Sequence, residues 1–319
     1  MGDTRLIALD WGTTSLRVYR FGNDGQVAAS RQLAAGILQV ATDGSASGFA
    51  DAFEQACGDW LRAAPASAVI ACGMIGSAQG WREAAYLDVP LSVDDLGRTL
   101  TEVGTPSGAV LHIIPGLIAR GALPDVMRGE ETQVAGAIER GGAGHPGDER
   151  IVLPGTHSKW VRVRDRRIVE FRTFMTGEVF AALCEHTILG RTMRRSAVPD
   201  LDAFDRGVAV ARSPEAGGGI LSTMFSTRTL GLVGALSAEA QADYLSGMLI
   251  GFEIAAMEDL GERPGPIVLV GGDDLCQRYR RALVALGHPS PAIATGATER
   301  GLWQVARAAG LVPRSDQDD

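Results

Sequence analysis

One short pattern occurs twice in this chain, and it limits the fold more than any other feature. A strand-like run, a Gly-Thr-x-Ser turn, a second strand, a polar turn and a third strand surround Gly12-Thr13-Thr14-Ser15. The same series surrounds Gly155-Thr156-His157-Ser158, 143 residues later. In the first copy the apolar or alternating runs are 6–9, 16–21 and 26–32, with Gly22-Asn23-Asp24-Gly25 a strong turn signal. Three strands joined this tightly make an antiparallel meander. The second copy uses 151–153, 160–164 and 168–172, with Asp165-Arg166-Arg167 as its charged turn. A spacing of this size is too long for a solenoid repeat and right for a duplicated domain.

The length of 319 residues supports about two domains, and a hydrophobic content of 45% supplies ample core. The formal net charge of −8 argues against a nucleic-acid binder, which would show a basic face. Cys57, Cys72, Cys184 and Cys276 are scattered without a C-x-x-C pair. Reduced, mostly buried thiols are therefore expected, not a disulfide framework or structural zinc. No signal-peptide pattern opens the sequence and no eighteen-residue apolar run follows, so no membrane association and a cytoplasmic location are expected.

Helical spacing runs over 49–61, and 130–138 has the composition of a helix start. Short buried-type strands are expected at 69–72, 110–114 and 267–270. After residue 180 the chain reads as mostly helical, with helices at 244–260, 275–286 and 298–309. Trp60 and Trp303 lie at helical spacing and read as core residues. The stretch 141–147 reads as a Gly-rich surface connection, and the polar tail from 313 as frayed.

Several residues carry candidate chemistry. The backbone at Gly12 and the hydroxyls of Thr13 and Thr14 suit phosphate, and Asp10, ending the preceding strand, can hold hydrated Mg²⁺ beside it. An ordinary polar hairpin is the competing reading. The second turn keeps Gly155 and Thr156 but has Leu153 where the first has Asp10, so only one turn offers an acid. Lys159 can neutralise phosphate or be a solvated strand residue, and His157 can donate to phosphate or be a structural turn histidine. Gly271-Gly272, at a strand end, leaves room for adenine or ribose against the backbone. Arg17 can serve ATP phosphates or substrate, or stay exposed. Trp81-Arg82-Glu83 can bind substrate hydroxyls or form a surface ion pair. Thr176-Gly177-Glu178 reads as a mobile lip, with Thr176 and Gly177 as candidate substrate contacts.

The order of these motifs resembles the actin, hexokinase and heat-shock ATPase superfamily. Within it the chain resembles the 2-dehydro-3-deoxygalactonokinase (2-keto-3-deoxygalactonate kinase) family over nearly its full length. The resemblance rests on 10–17, 73–83, 125–133, 153–160, 174–178, 221–228 and 244–247, with Ala85 departing from an expected Pro before Tyr86. It implies an α/β fold of two duplicated ribonuclease-H-like domains, 1–115 and 116–319, with an active-site cleft between them and the last helix packing back on the first domain. It also implies ATP and Mg²⁺ as cofactors and phosphorylation of the 6-hydroxyl of 2-dehydro-3-deoxy-D-galactonate in D-galactonate breakdown. A homo-oligomer is left open.

In the superfamily a carboxylate at the start of the first connecting helix takes the substrate proton. The matching acids are Glu130 and Glu131. Related kinases place the acid just before Thr or Gln, which favours Glu131 facing the substrate, and Asp125 stays a third candidate. Another sugar kinase of this fold, or an actin-like nucleotide switch, is the alternative.

Overall fold

The computed structural model describes residues 4–40, 47–138, 149–260 and 266–313. The stretch 141–147 and the tail beyond Pro313 lie outside these residues. In chain order the strands are β1 (Leu6–Trp11), β2 (Leu16–Phe21), β3 (Val27–Leu33), β4 (Ala68–Cys72), β5 (Tyr86–Asp88), β6 (Leu91–Ser92), β7 (Thr101–Gly104), β8 (Val110–Ile113), β9 (Gly116–Ala119), β10 (Asp125–Met127), β11 (Glu149–Leu153), β12 (Ser158–Arg164), β13 (Arg167–Phe174), β14 (Ile267–Val270) and β15 (Ala292–Ala294). The helices are α1 (Ile37–Val40), α2 (Ser47–Ala63), α3 (Val93–Gly97), α4 (Glu130–Ile138), α5 (Thr176–His186), α6 (Leu201–Val210), α7 (Gly219–Thr223), α8 (Ser226–Leu232), α9 (Gln241–Asp259), α10 (Asp273–Ala285) and α11 (Ala297–Ala308).

The α/β class and the two-unit organisation read from the sequence are present. The described residues form two compact units. One comprises those within Met1–Gly147, Val161–Phe171 and Thr295–Asp319, and the other those within Asp148–Trp160 and Arg172–Ala294. The expected boundary at 115 differs from this division. Residues 116–138 stay with the first unit because β9 pairs with β5 and α4 packs along α11. Gly136 and Gly301 permit that close helix contact, since an added Cβ on either would meet backbone of the other helix.

In the first unit the sheet order is β3-β2-β1-β4-β8-β7, and the β1–β2–β3 meander is antiparallel as the turn signals required. β1 runs parallel to β4, and β4 to β8. Interior strands bury both faces. Ile7, Leu9 and Trp11 join the α2 core through Phe49, Phe53 and Trp60. The alternate positions, Ala8 and Asp10, turn towards the face where α11 packs on β1. Phe21 on β2 follows the same alternation and stacks on Trp303 of α11, with centroids 5.6 Å apart. Trp60 is buried and Trp303 half-buried, as core residues should be. A small sheet, β10-β9-β5, has no clear sequence signal.

In the second unit β14 runs parallel to both β11 and β15. α6, α9 and α10 cover these strands through Phe204, Val208, Ile250, Ile254, Tyr279 and Leu283. The start of β12 (158–160) and the end of β13 (172–174) also belong to this unit. α10 starts at Asp273, directly after the Gly pair and ahead of the expected start at 275. The four cysteines are free, and three of them are buried. No helix among the described residues is long and apolar enough to cross a membrane.

Candidate active site

β1 delivers Asp10 and Trp11 to the first turn, where the Gly12 N–H donates to the Ser15 carbonyl at 2.9 Å. Thr13 and Thr14 are exposed at its tip. A support missed in the sequence lies at 35–38. Ile37 N–H donates to the Gly12 carbonyl (3.1 Å), Leu38 N–H to the Thr13 carbonyl (3.2 Å), and the Trp11 indole to the Ala35 carbonyl (2.7 Å). A Cβ on Gly36 would collide with the Thr13 and Thr14 backbone. No local signal marks Gly36, because its reason is contact with a distant turn.

Asp10 faces Arg17 across the ladder, and the Arg17 Nη1 donates to Asp10 Oδ2 at 3.4 Å. The Cys72 thiol donates to Asp10 Oδ1 at 3.9 Å. Burial pushes the Asp10 carboxyl up, Arg17 opposes this, and Glu299 on α11 adds to it. Burial likewise pushes the Cys72 thiol well up, so it stays protonated and inert.

α4 begins with the two acids. Gly129 has φ of 109°, a conformation that favours glycine. There its N–H donates to Glu131 Oε2 at 2.6 Å, while Thr132 Oγ1 donates to Glu131 Oε1 at 3.0 Å. Glu131 is 0% exposed, and burial, with Glu130 beside it, pushes its carboxyl up to about 8. Glu131, the acid expected to face the substrate, is thus enclosed at the start of α4. The half-buried acid is Glu130, whose Oε2 accepts from the Arg128 N–H at 3.0 Å. Asp125 is half-buried on β10, where its Oδ1 accepts from the Val126 N–H (2.8 Å).

The loop after β4 divides by chemistry. Trp81 is half-buried and stacks with Phe49 (6.3 Å), near Phe53 and Trp11. Arg82 and Glu83 are exposed, and no ion pair joins them. Arg128, buried and unremarked in the sequence, donates to the Ala84 carbonyl (2.8 Å) and lies over the Tyr86 ring (4.2 Å). It fixes the loop's exit beside α4. Ala85 makes an ordinary bond there, its carbonyl accepting from Gly116 N–H at 3.0 Å.

The second turn exposes two residues at its tip, Thr156 and His157, as the first exposes Thr13 and Thr14. The segment read as a mobile lip is the first turn of α5, and it braces this turn. Glu178 N–H donates to the Thr156 carbonyl at 2.9 Å, and a Cβ on Gly177 would meet Gly155 and Thr156 backbone. His157 Nε2 is paired with the Glu178 carboxylate. Lys159 is buried, contrary to the solvated-strand reading. Gly271 lies against Pro154, and Gly272 precedes α10. A cavity of about 190 Å³ opens beside Gly155, lined by Thr176, Gly177, Ser246, Arg278 and Tyr279 among others. Among the described residues no group of three or more His, Cys, Asp or Glu forms a metal cage.

A family model described as 2-keto-3-deoxy-galactonokinase matches residues 10–305, which contain both turns, α4 and the Gly pair. The chain belongs to that family. It is therefore a sugar-acid kinase, and the kinase family implies the use of ATP. A Rhizobium meliloti relative assigned as a 2-dehydro-3-deoxygalactonokinase is 40% identical over 313 residues, covering 94% of this chain and 96% of that one. The Escherichia coli 2-dehydro-3-deoxygalactonokinase is 35% identical over 306 residues, covering 95% and 98%. A crystal structure described as a protein of this kind from Sinorhizobium meliloti superimposes with a TM-score of 0.83 at 37% identity, over 95% of this chain and 98% of that one. For a sugar-acid kinase of this family, the two braced turns and the acids of α4 become the residues to assign.

Proposed function

We propose that this kinase transfers the γ-phosphoryl group of ATP to the 6-hydroxyl of 2-dehydro-3-deoxy-D-galactonate, in D-galactonate catabolism. The observation that carries this reading is the family match over 10–305, with named relatives covered almost end to end. In-line phosphoryl transfer needs positioning and charge stabilisation more than covalent chemistry. Thr13, Thr14, Gly155 and Thr156 donate to phosphate oxygens from turns whose backbones are held in advance by Gly36 and Gly177, and Gly12, its N–H bonded to the Ser15 carbonyl, lets the phosphates approach closely. Arg17 and Lys159 add positive charge or donors to the phosphates, His157, held by Glu178, adds only a minor donor, and Gly271 and Gly272 leave room for adenosine.

Mg²⁺ fits Asp10 as a water-mediated partner. A lone carboxylate at a strand end, with no protein cage, suits an ion that keeps most of its waters and binds through substrate phosphates. A Mg²⁺ held there through water would supply charge neutralisation to the nucleotide phosphates. Glu130 accepts the proton of the 6-hydroxyl, because its carboxylate is the accessible member of the pair. Glu131 lies behind it and holds the α4 start. Trp81, Arg82 and Glu83 bind the sugar acid. Thr176 and Gly177 line the cavity beside Gly155, which supports a role with the nucleotide in place of the substrate contact expected from the sequence.

The test is a coupled assay of purified protein with ATP, Mg²⁺ and a panel of keto-deoxy sugar acids and neutral sugars. Turnover of 2-dehydro-3-deoxy-D-galactonate, with the phosphate found on O6, is expected. Good turnover of glucose, glycerol or xylulose with none of this acid would overturn the substrate. ATP binding with no acceptor phosphorylated would favour an actin-like switch.

A further inference from the structure

Glu253 lies in the core of the second unit, on α9, and is 3% exposed. Its carboxylate gathers neutral donors from three other elements. The Trp160 indole on β12 donates to Oε1 at 2.7 Å, the Tyr279 hydroxyl on α10 donates to Oε2 at 2.8 Å, and Thr176 Oγ1 on α5 also donates to Oε2. Burial pushes this carboxyl up, and the Thr176, Trp160, Tyr279 and Ser158 side chains hold it down. Removing a carboxylate from water is costly, and an apolar side chain of like volume would serve the packing alone as well or better.

The identity of the donors gives the group its meaning. Trp160 follows the second turn by two residues, on the strand that leaves it. Thr176 opens α5, whose next two residues are the ones that brace the turn, Gly177 against Gly155 and Glu178 N–H on the Thr156 carbonyl. Tyr279 belongs to the helix that starts at the Gly pair, and with Thr176 it lines the cavity beside Gly155. One side chain therefore sets the strand after the turn, the helix start that supports it and the helix after Gly271-Gly272.

We infer that Glu253 is a positioning residue for nucleotide binding, acting through Thr176 and Trp160 on the Gly155-Thr156 turn. The inference rests on the proposed phosphate role of that turn. An ionised carboxylate only accepts, and all its partners can donate. A glutamine of equal size brings an NH₂ group that forces at least one hydroxyl to reverse, while Trp160 can only donate. Small displacements of a pre-positioned group are costly to binding and catalysis.

ADP binding to the full-length protein, measured by calorimetry without sugar acid, tests this directly. Glu253→Gln should weaken ADP binding about tenfold. In turnover it should raise the KM for ATP by a similar factor while the sugar-acid KM moves less than about twofold. Thr176→Val should weaken ADP binding in the same sense and Thr176→Ser should restore it, which keeps the test alive if Glu253→Gln does not fold. The double variant Glu253→Gln/Thr176→Val should bind no more weakly than the poorer single variant, since the two act along one path. A folded Glu253→Gln protein with wild-type ADP affinity, or fully additive losses in the double variant, would overturn the inference. Wild-type protein that binds ADP but leaves 2-dehydro-3-deoxy-D-galactonate untouched would overturn the proposed substrate and leave Glu253 unaffected.

Discussion

The two Gly-Thr turns are exposed and braced alike and differ in what lies beneath them. Both expose two residues at the tip, and both are braced by a glycine that precedes or opens a helical segment, Gly36 at α1 and Gly177 at α5. Under the first turn, Asp10 and Arg17 form a charged cross-strand pair. The residues at the same offsets in the second copy are Leu153, which is 3% exposed, and Trp160, bonded to the buried Glu253. The bracing of the two turns is alike, while the ladder positions below them differ. The first copy carries an acid there, which the proposed mechanism assigns to Mg²⁺, and the second carries Leu153 and Trp160 over the buried Glu253. The account thus puts the chemistry with the first turn and α4, and nucleotide grip with the second.

The strongest way to break this division is the acid pair of α4. Glu130→Gln should lower kcat by about 10²–10⁴-fold with ATP binding intact, the usual worth of a positioned proton acceptor. Glu131→Gln should cost less turnover, and steady-state kinetics of the two purified variants decide between them. The reverse order would mean that Glu131 becomes accessible during turnover. The braces come next. Gly36→Ala and Gly177→Ala each push a Cβ into turn backbone, and overpacking of this kind costs about 1–3 kcal/mol. Both should lower the thermal midpoint and raise the KM for ATP. Only Gly36→Ala should also change the Mg²⁺ requirement, because only its turn adjoins Asp10.

Glu131 also gives a pH signature confined to the first unit. Its carboxyl titrates near 8 when folded, against an ordinary value of 4.5. The folded state therefore keeps a proton that the unfolded chain releases above about 4.5. This stabilisation is full below that pH and is lost as pH rises through about 8. The thermal midpoint of Glu131→Gln should accordingly gain on the wild type between pH 5 and pH 9. Equal slopes would show that Glu131 is ionised in the fold. The smallest effect is expected at the tip of the second turn. His157→Ala removes a ring already paired with Glu178 at the surface, and such exposed pairs contribute about 0–1 kcal/mol. Its kinetics should stay within a few-fold of wild type.

Much of this was legible in the sequence because it is local. Gly-Asn-Asp-Gly between alternating runs sets a hairpin, and 49–61 carries its apolar stripe on its face. α4 falls at 130–138 as read. The parts that were hidden depend on distant partners. Nothing near Gly36 shows that Thr13 and Thr14 will press against it, and nothing near Glu253 shows three donors converging from β12, α5 and α10. The orientation of Glu130 and Glu131 depends on Gly129, whose φ is not written in composition. Thr176-Gly177-Glu178 has the look of a loop because a glycine interrupts it, yet that glycine is what lets α5 approach the second turn. The boundary at 115 ignored β9 and β10, whose pairing is too short to leave a periodic signal.

The division of labour between the turns is tested most directly by a Mg²⁺ titration of ATP-dependent phosphorylation of 2-dehydro-3-deoxy-D-galactonate, comparing wild type, Asp10→Asn and Thr156→Ala. The account expects Asp10→Asn to lose about a hundredfold or more in kcat at every Mg²⁺ concentration, while Thr156→Ala keeps the wild-type Mg²⁺ dependence and shows only a raised KM for ATP. A wild-type rate and Mg²⁺ requirement in Asp10→Asn, or a shifted requirement in Thr156→Ala, would contradict it.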